Sequence, residues 1–201
     1  MSFKRIKMVA FSLLIGILAF TVQAESPEEM IKISTESVLA DIKTNQEKYK
    51  AAPSELYQFI EKTVLPNFDF PRMTNLALGR YQRKLKGDQR ARMEAAFQQL
   101  LVRTYSKALL EYEDQGVTYL PSKGSVAKGD VTVRTEIDQP GGFPIPLNYS
   151  MYLVDGKWMV YDISVDNVSL VTNYRSSFSR VIKDKGIDGL IKSLQDRNKD
   201  A

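Results

Sequence analysis

The hydrophobic period of this chain changes twice, and the order of those changes restricts it to one class of fold. From Met30 to Tyr112 apolar residues recur at helical spacing. From Gly116 to Val165 they alternate with polar residues as in half-buried strands, and beyond Asn167 the helical spacing returns. Helices, then strands, then helices do not make the alternating units of a parallel sheet. They make an α+β domain, in which helices pack on one face of a curved antiparallel sheet of about four strands.

The individual signals are local. Ser26-Pro27-Glu28-Glu29 is a helix start, with Ser26 as N-cap, Pro27 at the first helical position and Glu29 closing a capping box. Met30, Ile33, Val38, Leu39 and Ile42 form the stripe that follows, as far as Tyr49. A second helix begins near Ser54, carries Leu56, Phe59, Ile60 and Val64, and stops at Pro66. The turn from Asn67 to Pro71 leads into a short helix through Met73, Leu76 and Leu78, ending at Gly79. Asp88 is expected to cap the longest helix, reaching about Asp114, with Met93, Phe97, Leu100, Leu101, Tyr105, Leu109 and Tyr112 on its broad apolar face.

A weaker strand spans Gly116 to Leu120, before Pro121. Val131, Val133, Thr135 and Ile137 are one inward set, and Ile145, Leu147, Tyr149, Met151 and Leu153 the next. After the Asp155-Gly156 hairpin the alternation predicts Met159, Tyr161, Ile163 and Val165 as the third. Val168, Val171, Tyr174, Phe178 and Ile182 then mark a helix that stops at Gly186, and Asp188 caps a last one through Leu190, Ile191 and Leu194.

Composition narrows the function. The chain has 201 residues with neither His nor Cys, which rules out a Ser-His-Asp triad, a cysteine nucleophile and any thiolate or imidazole metal site. Lys4, Arg5 and Lys7 precede an uninterrupted 13-residue apolar stretch, Met8 to Phe20, and then Val22-Gln23-Ala24. That is the layout of a cleavable export signal, too short to span a bilayer. The reading is therefore a signal peptide over 1–24 and a single domain over 25–201. The precursor carries +4, whereas 25 cations against 24 anions leave the mature chain at +1, a poor charge for binding nucleic acid.

Three features could carry chemistry. Asp162 and Asp166, near the end of the last long strand, could serve a small isomerase or hydrolase beside Tyr149 or Tyr161, or they could be strand-end and cap residues. Arg80, Arg83, Lys84, Lys86, Arg90 and Arg92 crowd one segment, either as a docking surface for lipid phosphate or an acidic partner or as a solvated face. The apolar faces exceed what one two-layer interface uses, which fits a cavity between sheet and helices; the alternative is an adaptor whose apolar faces all go into core.

The block Trp158-Met159-Val160-Tyr161-Asp162-Ile163, then Val165 to Val171 and Asn173-Tyr174-Arg175-Ser176-Ser177-Phe178, resembles the MlaC family, once called toluene-tolerance proteins. So do Phe68-Asp69-Phe70-Pro71-Arg72-Met73 and Leu76-Ala77-Leu78-Gly79-Arg80-Tyr81, with Phe97-Gln98-Gln99-Leu100-Leu101 continuing to Tyr105 and Leu109. Tyr81 stands where many members have Trp, and Asp166-Asn167 where they have Glu-Gly. The resemblance implies an NTF2-like (cystatin-like) sheet and helix bundle enclosing the acyl chains of a phospholipid, with no catalytic residue and no cofactor beyond that cargo. It implies a periplasmic monomer that shuttles phospholipid between an outer-membrane lipoprotein–porin complex and an inner-membrane ABC complex, maintaining outer-membrane lipid asymmetry. The pocket would then be lined by Val131, Val133, Leu147, Tyr149, Met151, Met159, Tyr161 and Ile163 from the sheet. The helices would add Leu76, Leu78, Phe97, Leu101, Tyr105, Val168, Val171 and Phe178.

Overall fold

A computed structural model describes residues 25–200; the expected leader, 1–24, lies outside the described residues. The element order is α1 (Pro27–Ala51), α2 (Pro53–Thr63), α3 (Phe70–Leu78), α4 (Gln89–Leu110), β1 (Val117–Ser125), β2 (Asp130–Ile137), β3 (Ile145–Val154), β4 (Lys157–Val165), β5 (Val168–Ser169) and α5 (Leu170–Asp200). The strands form one antiparallel sheet in sequential order, β1-β2-β3-β4-β5. The α+β architecture is as the two changes of period predict, with the short β5 as a fifth strand.

Caps fix the helix starts. The Ser26 hydroxyl accepts from the Glu29 amide at 3.1 Å, and the Asp69 carboxylate accepts from the Arg72 amide at 2.8 Å. Within α1, Asn45 leaves helical geometry, its side chain bonding back to the Asp41 carbonyl at 3.2 Å. A side-chain amide competing for the backbone in this way kinks a helix. In its first turns Met30 and Ile31 pack on the sheet; Val38 and Ile42, further along, and Tyr49, beyond the kink, pack instead with α2 and α4. Ile33, expected on the buried stripe, is 50% exposed, and Ile31 takes the inward place.

Three strand readings need correction. β1 does not stop at Pro121 but runs on to Ser125, with an irregularity between Leu120 and Lys123 that absorbs the proline, which an edge strand tolerates. In β4, Trp158 and Val160 are the buried residues, not Met159 and Tyr161. The register explains this: Met151 pairs with Val160 but Ser150 with Asp162, so Tyr161 is an extra residue. A one-residue bulge reverses which face the alternation serves. Tyr161 therefore shares the far face with Tyr152, ring centroids 5.8 Å apart, and Met159 is Tyr152's cross-strand neighbour. Val168, expected on a helix and in the lining, lies in β5 and is 56% exposed. Asp166 and Asn167 before it both take positive φ, 48° and 62°, the turn that a two-residue hairpin needs.

The apolar interior divides into three bodies. One is the sheet's inner face under the start of α1. A second joins α3, α4 and α5 around Phe97, and a third joins α1, α2 and α4 around Ile42 and Leu56. α4 ends at Leu110 instead of near Asp114. α5 is one run broken at Gly186, whose φ of 71° lies where glycine is favoured.

Candidate functional site

The sheet's inner face supplies half of the predicted lining. Val131, Val133 and Met151 are buried with Trp158 and Val160, beneath Met30 and Ile31, and Tyr149 and Ile163 pack against them. Leu147 pairs with Thr135 and Val165 toward the other end of the sheet. The helices supply the other half: Leu78, Phe97, Leu101, Val171 and Phe178 are buried together, with Leu76 and Tyr105 packed on them. Phe97 sits edge-on to both Tyr174 and Phe178, at 5.1 and 5.2 Å between centroids. Phe68, read from the sequence as part of a turn and a family motif but not of the lining, packs on both bodies, and its backbone bridges to Val160 on the edge of β4. Twelve of the sixteen predicted residues thus fall into two apolar masses that meet at Phe68. Leu147, Met159, Tyr161 and Val168 do not join them.

Polar groups enter these masses at a few points. Burial pushes the Tyr149 phenol up to about 12. Tyr105 is likewise pushed to about 12, by burial first and by the neighbouring Tyr174 second. The hydroxyls of Tyr119 and Ser122, on β1, are shut off from solvent without a hydrogen-bond partner.

The most enzyme-like residue has structural work instead. One Asp162 oxygen accepts from the Ser169 hydroxyl at 2.6 Å and the other from the Val171 amide at 3.1 Å, so the carboxylate caps the start of α5. Further along the same motif, Arg175 donates its Nε to the Leu76 carbonyl at 2.7 Å. There it closes the end of α3 against Gly79, where a Cβ would come within 3.3 Å of it. On the sheet's far face the Arg72 guanidinium lies 3.9 Å from the Tyr152 ring centroid and 4.2 Å from that of Tyr161. Tyr152 in turn donates to Asp69. This cluster clamps the start of α3 across β4, and it depends on the bulge that turns Tyr161 outward.

The basic segment is partly committed to the fold. Arg90 donates to Asn75 at 2.8 Å, and Arg92 pairs with Asp88 and with Asp188 on α5. Arg80 and Lys84 lie over the Tyr81 ring at 5.1 and 5.6 Å. Arg83 and Lys86 are exposed and take part in no ion pair among the described residues.

Two surface cavities accompany the helices. One, of about 180 Å³, lies between α2 and α4 beside Tyr57 and Arg103. The other, of about 400 Å³, lies between α4 and the end of α5 beside Gln99 and Asn198. Neither touches the predicted lining. Among the described residues no helix is long and apolar enough to cross a membrane, and no three acidic residues gather as a metal site would need.

A family profile described as MlaC protein matches residues 32–196, nearly all of this architecture. The chain belongs to the MlaC family. Among curated proteins it is 28% identical over 194 residues to the toluene tolerance protein ttg2D of Pseudomonas putida, covering 92% of this chain and 90% of that one. It is 26% identical over 173 residues to the intermembrane phospholipid transport system binding protein MlaC of Haemophilus influenzae, covering 85% and 81%. Among solved structures it is similar to a phospholipid-binding protein from Ralstonia solanacearum determined in complex with a phospholipid. That match has a TM-score of 0.81 at 29% identity and covers 88% of this chain and 98% of that one. In this MlaC chain the motif residues of the C-terminal third hold the junctions of the fold: Asp162 starts α5, Arg175 ends α3, and the Asp166-Asn167 turn returns β5 to β4.

Proposed function

We propose that the protein is a periplasmic phospholipid carrier, exported by cleavage after Ala24, that takes acyl tails between the inner face of its sheet and its helices. The observation that carries this reading is the close similarity in fold to a structure holding a phospholipid. The arrangement of the apolar residues supports it. The predicted lining is divided between two masses joined at Phe68, so tails lodge where those masses part, and Phe68 is the residue around which they separate.

The energetics give such a protein its purpose. Two sixteen-carbon tails hold roughly 28 methylenes, each worth about 0.8 kcal/mol against water, so releasing them into water costs on the order of 20 kcal/mol. A dry interior removes that barrier and leaves capture and release close to balanced against a bilayer. Transfer therefore happens inside docked complexes: an outer-membrane lipoprotein with its porin on one side, an inner-membrane ABC complex on the other. Arg83 and Lys86 are the part of the basic segment most available for docking. The carrier is a monomer and needs no cofactor besides its cargo. Asp162 has one oxygen engaged by Ser169 of β5 and the other by Val171 of α5, which supports a role without catalysis.

Native mass spectrometry and organic extraction of protein purified from its own host test the reading. Phospholipid in stoichiometric amount is expected; protein that carries none, and takes none from vesicles, refutes it.

A further inference from the structure

The inner face of the sheet beneath α1 is a buried apolar cluster, and two hydroxyls of the neighbouring β1 are left unanswered by the fold. Tyr119 and Ser122 lie on β1, on either side of Pro121, and neither hydroxyl has a partner. Tyr119 is the cross-strand neighbour of Thr135, so it shares the inner face with Val131 and Val133. Two strands away on the same face is Tyr149, paired with Val133. Thr35 of α1 is the polar neighbour of both phenols, yet the Tyr119 hydroxyl has no hydrogen-bond partner. Thr135, beside them, already spends its hydroxyl on the Leu147 carbonyl at 2.7 Å. Tyr119 and Ser122 are thus a phenol and an alcohol donor without acceptors.

Leaving a buried hydroxyl unpaired is unfavourable, and native folds seldom do so without a reason. The missing group is an acceptor that arrives with apolar material. In a phospholipid such acceptors are the two acyl ester carbonyls, at the junction of tails and headgroup. The position agrees: β1 is an edge strand, so its donors stand at the rim of the inner face, where the headgroup end of a lipid would lie with its tails running inward over Val133 and Met151. We propose that Tyr119, with Ser122 and Tyr149, donates hydrogen bonds to the acyl ester carbonyls of the cargo and so selects ester-linked over ether-linked lipids. This rests on the carrier reading.

The test loads delipidated full-length mature protein with an equimolar mixture of a diacyl phosphatidylethanolamine and its dialkyl ether analogue, with the same chain lengths. Occupancy is read by native mass spectrometry. One net hydrogen bond of about 1 kcal/mol corresponds to roughly a fivefold preference for the ester. The wild type should show that preference, and Tyr119→Phe and Tyr149→Phe should each reduce it. In the lipid-free state Tyr119→Phe should melt at the wild-type temperature or above, because it removes a donor that has no partner. Equal occupancy by the two lipids in the wild type, or an undiminished preference in both variants, overturns the proposal. So does a lower melting temperature for lipid-free Tyr119→Phe, which would mean that the hydroxyl is satisfied within the protein or by a trapped water. If the wild type takes up neither lipid, the carrier reading fails first and this proposal falls with it.

Discussion

Replacing Asp162 separates a structural carboxylate from a catalytic one, and the geometry sets the size of the effect. Asp162→Ala removes the acceptor for the Val171 amide and for the Ser169 hydroxyl. Loss of a helix-capping side chain costs about 1 kcal/mol, and loss of a negative charge at a helix start about 0.3–1 more. The group is only part-buried, so about 2 kcal/mol is an upper figure. For a domain of this size that lowers the melting temperature by about 4–8 °C. Asp162→Asn should lose about half as much. Its carbonyl still accepts from Val171, but its amide must donate to a Ser169 oxygen that already accepts from Thr172 at 3.2 Å. Calorimetry on both variants, alongside their phospholipid content, is the assay. The expected outcome is graded destabilisation, Ala more than Asn, with cargo unchanged. If Asp162→Asn melted like the wild type yet lost function, the carboxylate would have a chemical role and the capping argument would be wrong.

Arg72→Lys should destabilise the protein by about 1–2 kcal/mol, because an ammonium does not reproduce a guanidinium lying over two rings; urea titration of it and of Tyr161→Leu should show non-additive losses. Tyr49, Tyr105 and Tyr149 are each pushed up to about 12 from 10.0. The unfolded chain releases those protons first, so the stability they contribute is complete below pH 10 and declines between about 10 and 12. A spectrophotometric titration should find tyrosines that ionise only as the fold is lost. Charge reversal at Arg83 and Lys86 should weaken docking without changing lipid content or melting temperature. Reversal at Arg92 should lower the melting temperature as well, since Arg92 holds Asp188 of α5; equal thermal effects at the two places would contradict the division.

What was legible in the sequence was whatever depends on neighbours along the chain. Period gave the helices and strands, the capping box gave Ser26 as a helix start, and the Asp155-Gly156 pair gave its hairpin. The β3 set Leu147, Tyr149 and Met151 keeps one face because β3 alternates without interruption against β2. The candidate site was legible only as two lists of apolar residues. That they meet at Phe68, and that Met159 and Tyr161 belong to the other face, could not be read locally. A bulge is a mismatch between two strands, Ser150 with Asp162 but Met151 with Val160, and no single strand contains it.

The same division holds for the charged residues. Alone, Asp162 is a strand-end acid and Arg90 one cation in a run; the fold makes the first a cap and ties the second to Asn75. Sequence determined the class of fold and, through its motifs, the family, because periodicity and turn chemistry act over a few residues. Tertiary structure decided which apolar groups face each other and which hydroxyls remain unpaired, because those depend on register and on contacts between segments as distant as Thr35 and Tyr149.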